Sequence, residues 1–191
     1  MQEREQKLIV AGFGGQGVLL VGRLLAYAGM IEDKKVTWIP SYGPEMRGGT
    51  ANCTVVLSER EIGSPIAPVP DSVIVMNQPS LDKFEPMLKE NGLLIANSNM
   101  LTKKPTRKDL DIVEIPVNGI ASELGDDRVA NMVALGAYIE RTHIVKMESI
   151  SKALKTMLPE RYHNLISLNE KALEMGAEFA KENGGKNVEK F

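Results

Sequence analysis

The first residues that suggest chemistry are glycines that follow a short apolar run. In the segment LIVAGFGGQGVLL, Gly12, Gly14 and Gly17 have the G-x-G-x-x-G spacing of a dinucleotide-binding turn, with Gly15 and Gln16 between them. Glycine lets the backbone approach a ligand closely, and the helix that follows presents unpaired N–H groups at the positive end of its dipole. The segment therefore predicts an anion site, in which Gly14 and Gly15 form a nest of N–H groups and Gln16 adds a neutral donor.

A nicotinamide or flavin dinucleotide requires a second feature. In Rossmann-type sites an acidic residue about 20 residues downstream, at the end of the second strand, binds the ribose hydroxyls. Here that strand is predicted to end in WIPSYGP, without an acidic residue, and Glu32 and Asp33 precede it. Three interpretations of the turn stay open at this point: a dinucleotide site, a site for another phosphate-bearing ligand, and a tight turn with a purely structural role.

A second segment with binding chemistry, SYGPEMRGG, follows the second predicted strand. Loops at the carboxyl ends of parallel strands line the ligand crevice of a doubly wound sheet, so we expect this loop beside the glycine turn. It offers hydroxyl groups, a guanidinium suited to bidentate phosphate binding, and a flexible glycine pair. The candidate residues are Ser41, Tyr42, Arg47, Gly48 and Gly49. The alternative is an exposed connection with a solvated arginine.

The other reactive side chains predict neither a catalytic residue nor a metal ligand. His143 and His163 have no nucleophile or carboxylate at a useful spacing, and we expect them at the surface or at helix caps. The lone Cys53 lies in a predicted strand, where a small buried hydrophobe is the simpler interpretation. One cysteine also excludes an internal disulfide and a cysteine-bound iron–sulfur cluster within this chain.

Composition and charge are those of an ordinary globular protein. Hydrophobic residues make up 43% of the 191 residues and charged residues 25%, which suits one domain with a real core. The net charge of −2 lacks the basic excess of a nucleic-acid-binding surface. There is no signal-peptide region, and no apolar run reaches the roughly 20 residues that span a bilayer. The sequence predicts a cytoplasmic protein without a nucleic-acid or membrane partner.

The elements that must position the two loops alternate between strands and helices. Strands are predicted over 7–13, 35–40, 50–58, 72–77, 93–97 and 111–116. The first helix is predicted over 17–30, which makes a β-α-β unit with the first two strands, and Pro86 predicts a short or kinked second helix. This order predicts an α/β fold of three layers, with a mainly parallel sheet and a Rossmann-like glycine turn.

The C-terminal part is predicted to be helical. We expect a single domain over 1–191, with an α/β core over about 7–117 and a helical region over about 118–183. The last helix carries an apolar stripe at alternating steps of three and four residues: Leu165, Leu168, Ala172, Met175 and Phe179. We predict that this stripe packs on the domain's own sheet, and the alternative is a surface for a partner.

The two loops together resemble the gamma subunit of 2-oxoacid:ferredoxin oxidoreductases. The motifs are GFGGQGVLLVGRLLAYAG and PSYGPEMRGGTANCTVVLS, in that order and separation. DSVIVMNQPSLDKFEPMLKENGLLIANS and RVANMVALGAY also resemble the middle section and a late helix of the family, so the resemblance covers nearly the whole chain. It implies a cytosolic complex that converts a 2-oxoacid, coenzyme A and oxidised ferredoxin into acyl-CoA, carbon dioxide and reduced ferredoxin.

The resemblance implies a division of labour among subunits. Thiamine diphosphate belongs to the alpha and beta subunits and the iron–sulfur clusters to a ferredoxin-like subunit, and this chain has neither a thiamine motif nor cluster cysteines. The gamma subunit helps to bind coenzyme A; alone it is inactive and can self-associate. The implied contacts fall on Gly12, Gly14, Gly15, Gln16, Gly17, Ser41, Tyr42, Arg47, Gly48 and Gly49.

Coenzyme A also suits the residues better than a nicotinamide dinucleotide. Its pyrophosphate and 3′-phosphate match a helix N-terminus and an arginine-bearing loop, and an acidic residue after the second strand would repel the 3′-phosphate. SYGPEMRGG resembles the 2-oxoglutarate and branched-chain members of the family, and we favour 2-oxoglutarate. The alternatives are a stand-alone NAD(P)- or flavin-dependent reductase and a purely structural assembly subunit.

Overall fold

The computed structural model describes residues 5–42 and 49–183, without the side chain of Tyr42. A six-stranded sheet with the order β2-β3-β1-β4-β5-β6 lies at the centre. The strands are β1 (Glu5–Phe13), β2 (Lys35–Tyr42), β3 (Thr50–Ser58), β4 (Ser72–Val75), β5 (Leu93–Asn97) and β6 (Asp111–Ile115). The α-helices are α1 (Val18–Ile31), α2 (Gln78–Phe84), α3 (Val117–Glu123), α4 (Ala130–Thr142), α5 (Met147–Met157) and α6 (Ile166–Asn183).

Most strands of the described sheet run in the same direction. β1, β4, β5 and β6 pair in parallel, whereas β3 is antiparallel to both β1 and β2. β2 therefore points the same way as β1, which confirms the predicted mainly parallel sheet. The predicted β-α-β unit is present, but β3 lies between its two strands. Pro40 is compatible with the place of β2 at the edge, because a residue without an N–H is tolerated in an edge strand.

Helices cover both faces of the sheet and produce the three predicted layers. α1, α4, α5 and α6 pack on one face, in a core that includes Leu8 and Val10 of β1. α2 and the 3₁₀ turn Glu85–Met87 lie on the other face, where Phe84 packs near Ile9. Because successive side chains of a strand point to opposite faces, β1 contributes to both cores and is fixed between them.

The predicted helical region is held together by a close crossing of α4 and α6. A Cβ atom at Gly136 would lie 1.9 Å from the carbonyl oxygen of Leu173, and one at Gly176 would lie 2.0 Å from that of Val133. The two backbones touch because glycine faces backbone on both helices. α4 is thereby fixed in place, and it carries a residue that contacts the glycine turn.

The predicted apolar stripe packs within the domain, but against α4 more than against the sheet, and its first residue, Leu165, lies in the 3₁₀ segment before α6. Leu168, Met175 and Phe179 are half-buried and pack against the core that also contains α4. Of the buried residues of α6 only Ala172 belongs to the predicted stripe, and Gly176 lies at the close crossing with α4. The buried residues are Ile166, Ala172, Leu173, Gly176 and Ala180.

Candidate anion-binding site

The glycine turn joins β1 to α1 at the carboxyl end of the parallel strands. Gly15 and Gly17 have φ angles of 101° and 72°, a region that favours glycine. A Cβ atom at Gly17 would lie 2.2 Å from Nδ2 of Asn131, and one at Gly12 would lie 2.6 Å from Oε1 of Gln16. At Gly15 no atom of the described residues lies within 4 Å of such a Cβ atom. The turn is therefore closely packed against the protein at Gly12 and Gly17, whereas the described residues leave it open at Gly15.

The first turn of α1 presents unpaired backbone donors. Among the residues that the structure describes, the N–H groups of Gly15 and of residues 17–20 have no hydrogen-bond partner. No side chain within residues 5–42 and 49–183 caps the start of α1, and its first turn contains no acidic residue. The helix has 14 residues, so the positive end of its dipole acts on the space in front of these N–H groups. This arrangement favours an anion such as a phosphate.

The two predicted loops meet at Gly14. Its N–H donates to the carbonyl oxygen of Gly49 at 2.9 Å, so the second loop ends against the glycine turn as expected. This bond occupies the Gly14 N–H, and the N–H of Gln16 donates to the carbonyl oxygen of Phe13 at 3.1 Å. The predicted nest of Gly14 and Gly15 is therefore wrong, and of that pair only Gly15 keeps an N–H without a partner among the described residues. Outside the described residues lie two further candidates, Arg47 and Gly48.

Ser41 and Tyr42 belong to a strand and not to the predicted loop. The antiparallel ladder between β2 and β3 continues beyond Pro40, where the sequence analysis ends the strand, and pairs Ser41 with Asn52 and Tyr42 with Ala51. The prediction of the strand end was wrong because β2 lies at the edge of the sheet, where a proline is tolerated within a strand. Ser41 is exposed at this edge of the sheet.

The side chain of Gln16 folds back onto the protein. Its Oε1 accepts hydrogen bonds from the backbone N–H of Phe13 at 2.7 Å and from Nδ2 of Asn77 at 3.1 Å. Its Nε2 donates to the carbonyl oxygen of Met76 at 3.2 Å. The amide thus connects the end of β1 to the residues that follow β4. The sequence had instead predicted that this amide donates a hydrogen bond to a ligand.

A row of amides continues from Gln16 along the carboxyl ends of the strands. Nδ2 of Asn97 donates to the same Met76 carbonyl at 3.2 Å and to Oδ1 of Asn118 at 2.9 Å. Gln16, Asn77, Asn97 and Asn118 form what we call the amide row. Asn77 and Asn97 are each only 1% exposed. The row was not predicted from the sequence, although an asparagine directly follows each of the apolar runs SVIVM and LLIA.

A further asparagine supports the start of α1 from the side. Asn131, which is 4% exposed on α4, donates from Nδ2 to the carbonyl oxygen of Gly17 at 3.3 Å. The same nitrogen occupies the space in which a side chain at Gly17 would lie. The close crossing of α4 and α6 fixes the position of α4, and with it the position of the Asn131 side chain that contacts the glycine turn.

The remaining reactive side chains lie away from the open side of the turn. Cys53 is fully buried, and its Sγ donates to the carbonyl oxygen of Val18 at 3.5 Å. Burial raises the pKa of the thiol from 9.0 to about 11, so Cys53 is the predicted small buried residue and stays protonated at neutral pH. His143 ends α4, and the exposed His163 lies 2.9 Å from the carbonyl oxygen of Leu158, which agrees with the predicted capping and surface roles.

Residues 5–42 and 49–183 show neither a metal-binding cluster nor a membrane-spanning helix. No three or more His, Cys, Asp or Glu side chains there are grouped so that they could hold a metal ion. None of the helices there has the length and apolar character needed to cross a membrane.

Comparison with known proteins identifies the family to which this chain is similar. Residues 7–179 match the family model described as pyruvate ferredoxin/flavodoxin oxidoreductase. Ketoisovalerate oxidoreductase subunit VorA of Methanothermobacter marburgensis is 37% identical over 181 residues, which are 94% of this chain and 37% of that protein. The 2-oxoglutarate synthase subunit KorC of Methanocaldococcus jannaschii is 36% identical over 182 residues, 93% of this chain and 95% of that protein. The chain thus spans about 37% of VorA and nearly all of KorC.

Solved structures share the fold. The gamma subunit of a keto/oxoacid ferredoxin oxidoreductase from Geobacter sulfurreducens is 34% identical, with a TM-score of 0.77 over 93% of this chain and 99% of that one. The 2-oxoglutarate:ferredoxin oxidoreductase of Magnetococcus marinus has a TM-score of 0.88 over 100% of this chain and 33% of its own, at 21% identity, and shows the α/β fold alone. With the family model matched over residues 7–179 and relatives above 30% identity over most of its length, the chain belongs to the pyruvate ferredoxin/flavodoxin oxidoreductase family and is similar throughout to its gamma subunits.

Proposed function

We propose that this chain is the gamma subunit of a 2-oxoacid:ferredoxin oxidoreductase and that it forms one wall of the coenzyme A site. The complex oxidises a 2-oxoacid in the presence of coenzyme A, releases acyl-CoA and carbon dioxide, and passes the electrons to ferredoxin. The observation that carries the proposal is the open N-terminus of α1: within the described residues the N–H groups of Gly15 and residues 17–20 have no partner, and the first turn contains no acidic residue.

The charge of coenzyme A suits this surface. Its pyrophosphate brings negative charge to the positive end of α1, an interaction worth about 0.3–1 kcal/mol where exposed and up to about 2 kcal/mol where partly buried. A nicotinamide dinucleotide fits less well, because the last residues of β2, from Ile39 to Tyr42, include no carboxylate for its ribose. The Magnetococcus marinus enzyme of the same fold is described with 2-oxoglutarate, coenzyme A and succinyl-CoA bound, which supports this choice of ligand.

The second loop contributes the other anion contacts in this proposal. The loop ends at Gly49, whose carbonyl oxygen is bonded to Gly14 in the glycine turn. We assign the guanidinium of Arg47 and the flexible pair Gly48 and Gly49 to the 3′-phosphate or the pyrophosphate. Ser41 lies exposed on β2 at the same edge of the sheet and adds a hydroxyl group.

The remaining chemistry belongs to partner subunits. VorA and the Magnetococcus marinus enzyme each contain this region within a chain about three times as long, which supports a gamma subunit that works only with other domains. We assign thiamine diphosphate to alpha and beta subunits and the iron–sulfur clusters to a ferredoxin-like subunit of a cytoplasmic complex. Among the 2-oxoacids we favour 2-oxoglutarate, and several of the relatives named KorC support this choice.

Reconstitution tests the proposal. The alpha, beta and ferredoxin-like subunits are assayed with and without this chain for ferredoxin reduction as coenzyme A is varied, and full coenzyme A-dependent turnover is expected only with it. Arg47→Ala should raise the KM for coenzyme A at least about tenfold, the effect of losing about 1.4 kcal/mol, and leave the KM for the 2-oxoacid unchanged. Arg23→Ala, which removes the same charge from an exposed position of α1, is the matched control.

Two outcomes would replace the proposal. Tight binding of NAD(P) or a flavin by the purified chain would favour a stand-alone reductase. Loop variants that prevent assembly, but leave the coenzyme A KM of the complexes that do form unchanged, would favour a purely structural subunit.

A further inference from the structure

The glycine turn depends on one side chain that spans it. Gln16 lies between Gly15 and Gly17, and its amide reaches back to the N–H of Phe13 at 2.7 Å and the carbonyl oxygen of Met76 at 3.2 Å. These two contacts connect the tip of the turn to the ends of two neighbouring strands. Without them, a segment that contains two glycines at positive φ has many other backbone conformations available.

Asn77 fixes the orientation of Gln16. Its Nδ2 donates to Oε1 of Gln16 at 3.1 Å, and its Oδ1 accepts from the backbone N–H of Ser80 at 3.0 Å and so caps α2. Asn77 is 1% exposed, so neither end of its amide has access to water as an alternative partner. The orientation of the Asn77 amide is therefore determined by the cap, and the cap determines which atom of Gln16 faces it.

We propose that Gln16 and Asn77 are positioning residues that hold the N–H groups of Gly15 and Gly17 in the orientation that binds the phosphates of coenzyme A. This inference rests on the proposed function and adds two residues that do not touch the ligand. A preformed set of donors binds an anion without first paying the entropy of ordering the turn. Loss of either amide should weaken the binding of coenzyme A and leave the chemical steps in the partner subunits unchanged.

Two variants of the reconstituted complex test this role. Gln16→Met keeps the length of the side chain and removes its three hydrogen bonds. Asn77→Ser keeps a hydroxyl that can cap α2 and is too short to reach Gln16. Each should raise the KM for coenzyme A about tenfold, with kcat and the KM for the 2-oxoacid within about twofold of wild type. Amide hydrogen exchange at Phe13, whose N–H loses its acceptor, should become faster in Gln16→Met.

Asn97→Ser is the matched control. Asn97 caps the next turn through the N–H of Asn99 and donates to Met76 and Asn118, but it makes no bond to Gln16. This variant should leave the KM for coenzyme A within about twofold of wild type. An equal rise in all three variants would overturn the positioning role and leave only a general structural one.

The outcomes separate this inference from the proposed function. If the coenzyme A-dependent activity of the wild-type complex does not require this chain, the proposed function and the positioning role are both wrong. If the wild-type complex depends on coenzyme A and both Gln16→Met and Asn77→Ser keep the wild-type KM, the positioning role alone is wrong. A rise in KM for coenzyme A in these two variants, without a rise in the control, supports it.

Discussion

Two neighbouring strands, β1 and β4, lead into helices at the same edge of the sheet, and the two junctions are closed in different ways. α2 follows Asn77, whose side chain caps it, and Pro79 in its first turn has no N–H to satisfy. α1 follows Gly17, which has no side chain, and no side-chain hydrogen bond from the described residues caps its first turn. The N-terminus of α2 is capped and therefore offers few free N–H groups to a ligand. The first N–H groups of α1, in contrast, have no partner among the described residues. The difference places the candidate site at the β1–α1 junction.

The largest effect should come from filling the packed side of that junction. Gly17→Ala forces a side chain to a φ of 72° and against Asn131, so we expect a loss of about 3 kcal/mol in the free energy of unfolding. Gly15→Ala meets no described atom within 4 Å and should cost only about 1 kcal/mol of backbone strain. Urea unfolding of the purified chain measures both. Equal losses would show that the turn is not packed from one side and open on the other.

The α1 junction also lies over a buried thiol, which gives a pH-dependent test. Burial raises the pKa of Cys53 from 9.0 to about 11, so the unfolded chain loses this proton at a lower pH than the folded protein does. The free energy of unfolding should therefore fall as the pH rises from about 9 to 11. Between pH 8 and 10.5 this residue accounts for about 2 kcal/mol.

Cys53→Ala isolates that contribution from those of the other groups that titrate in alkali. The variant should be less stable than wild type at pH 7, because it leaves a small cavity, and should lose less stability as the pH rises. Denaturant unfolding at pH 7, 8, 9 and 10.5 measures both slopes. Parallel slopes in the two proteins would mean that the thiol beneath Val18 is not shielded from water.

The smallest effect should come from the capped helix. Asn77→Ala removes the cap on Ser80 and should lower the free energy of unfolding by about 1 kcal/mol, the usual value for the loss of a cap. Asn77→Ser retains a capping hydroxyl and should lose less. The comparison of the two by denaturant unfolding separates the cap from the contact with Gln16. Equal losses would show that the bond to Gln16, and not the cap, determines the stability at this junction.

Local features of the fold could be predicted from the sequence. The strands over 50–58 and 93–97 have their predicted bounds, because the first alternates between more and less buried residues over its first half, the second is a run of buried residues, and turn signals flank both. Pro86 lies in a 3₁₀ turn directly after a short α2, as a proline inside a helical pattern suggests. The glycine turn was located as well, since the strand, the glycines and the helix are contiguous in the chain.

Features that depend on residues far apart in the chain could not be predicted in this way. Periodicity does not say which strands are neighbours, so the insertion of β3 between β1 and β2 was missed. The bond from Asn131 to Gly17 joins residues 114 positions apart, and the contact between Gly136 and Leu173 exists only once α4 and α6 cross. The sequence suggested that Gln16 donates to a ligand, whereas in the structure its amide is bonded within the protein. This could not be predicted for the same reason, because its partners include residues that follow β4.

The claim that the open end of α1 binds phosphates is tested most directly by two substitutions at Gly15. Asp and Asn are nearly equal in size and both tolerate positive φ, so Gly15→Asp and Gly15→Asn differ chiefly in charge. In the reconstituted complex, the KM for coenzyme A should be at least about tenfold higher with Gly15→Asp, and the ratio should shrink as salt screens the repulsion. The KM for the 2-oxoacid should be the same in both. Equal KM values for coenzyme A in the two variants would contradict phosphate binding at this helix.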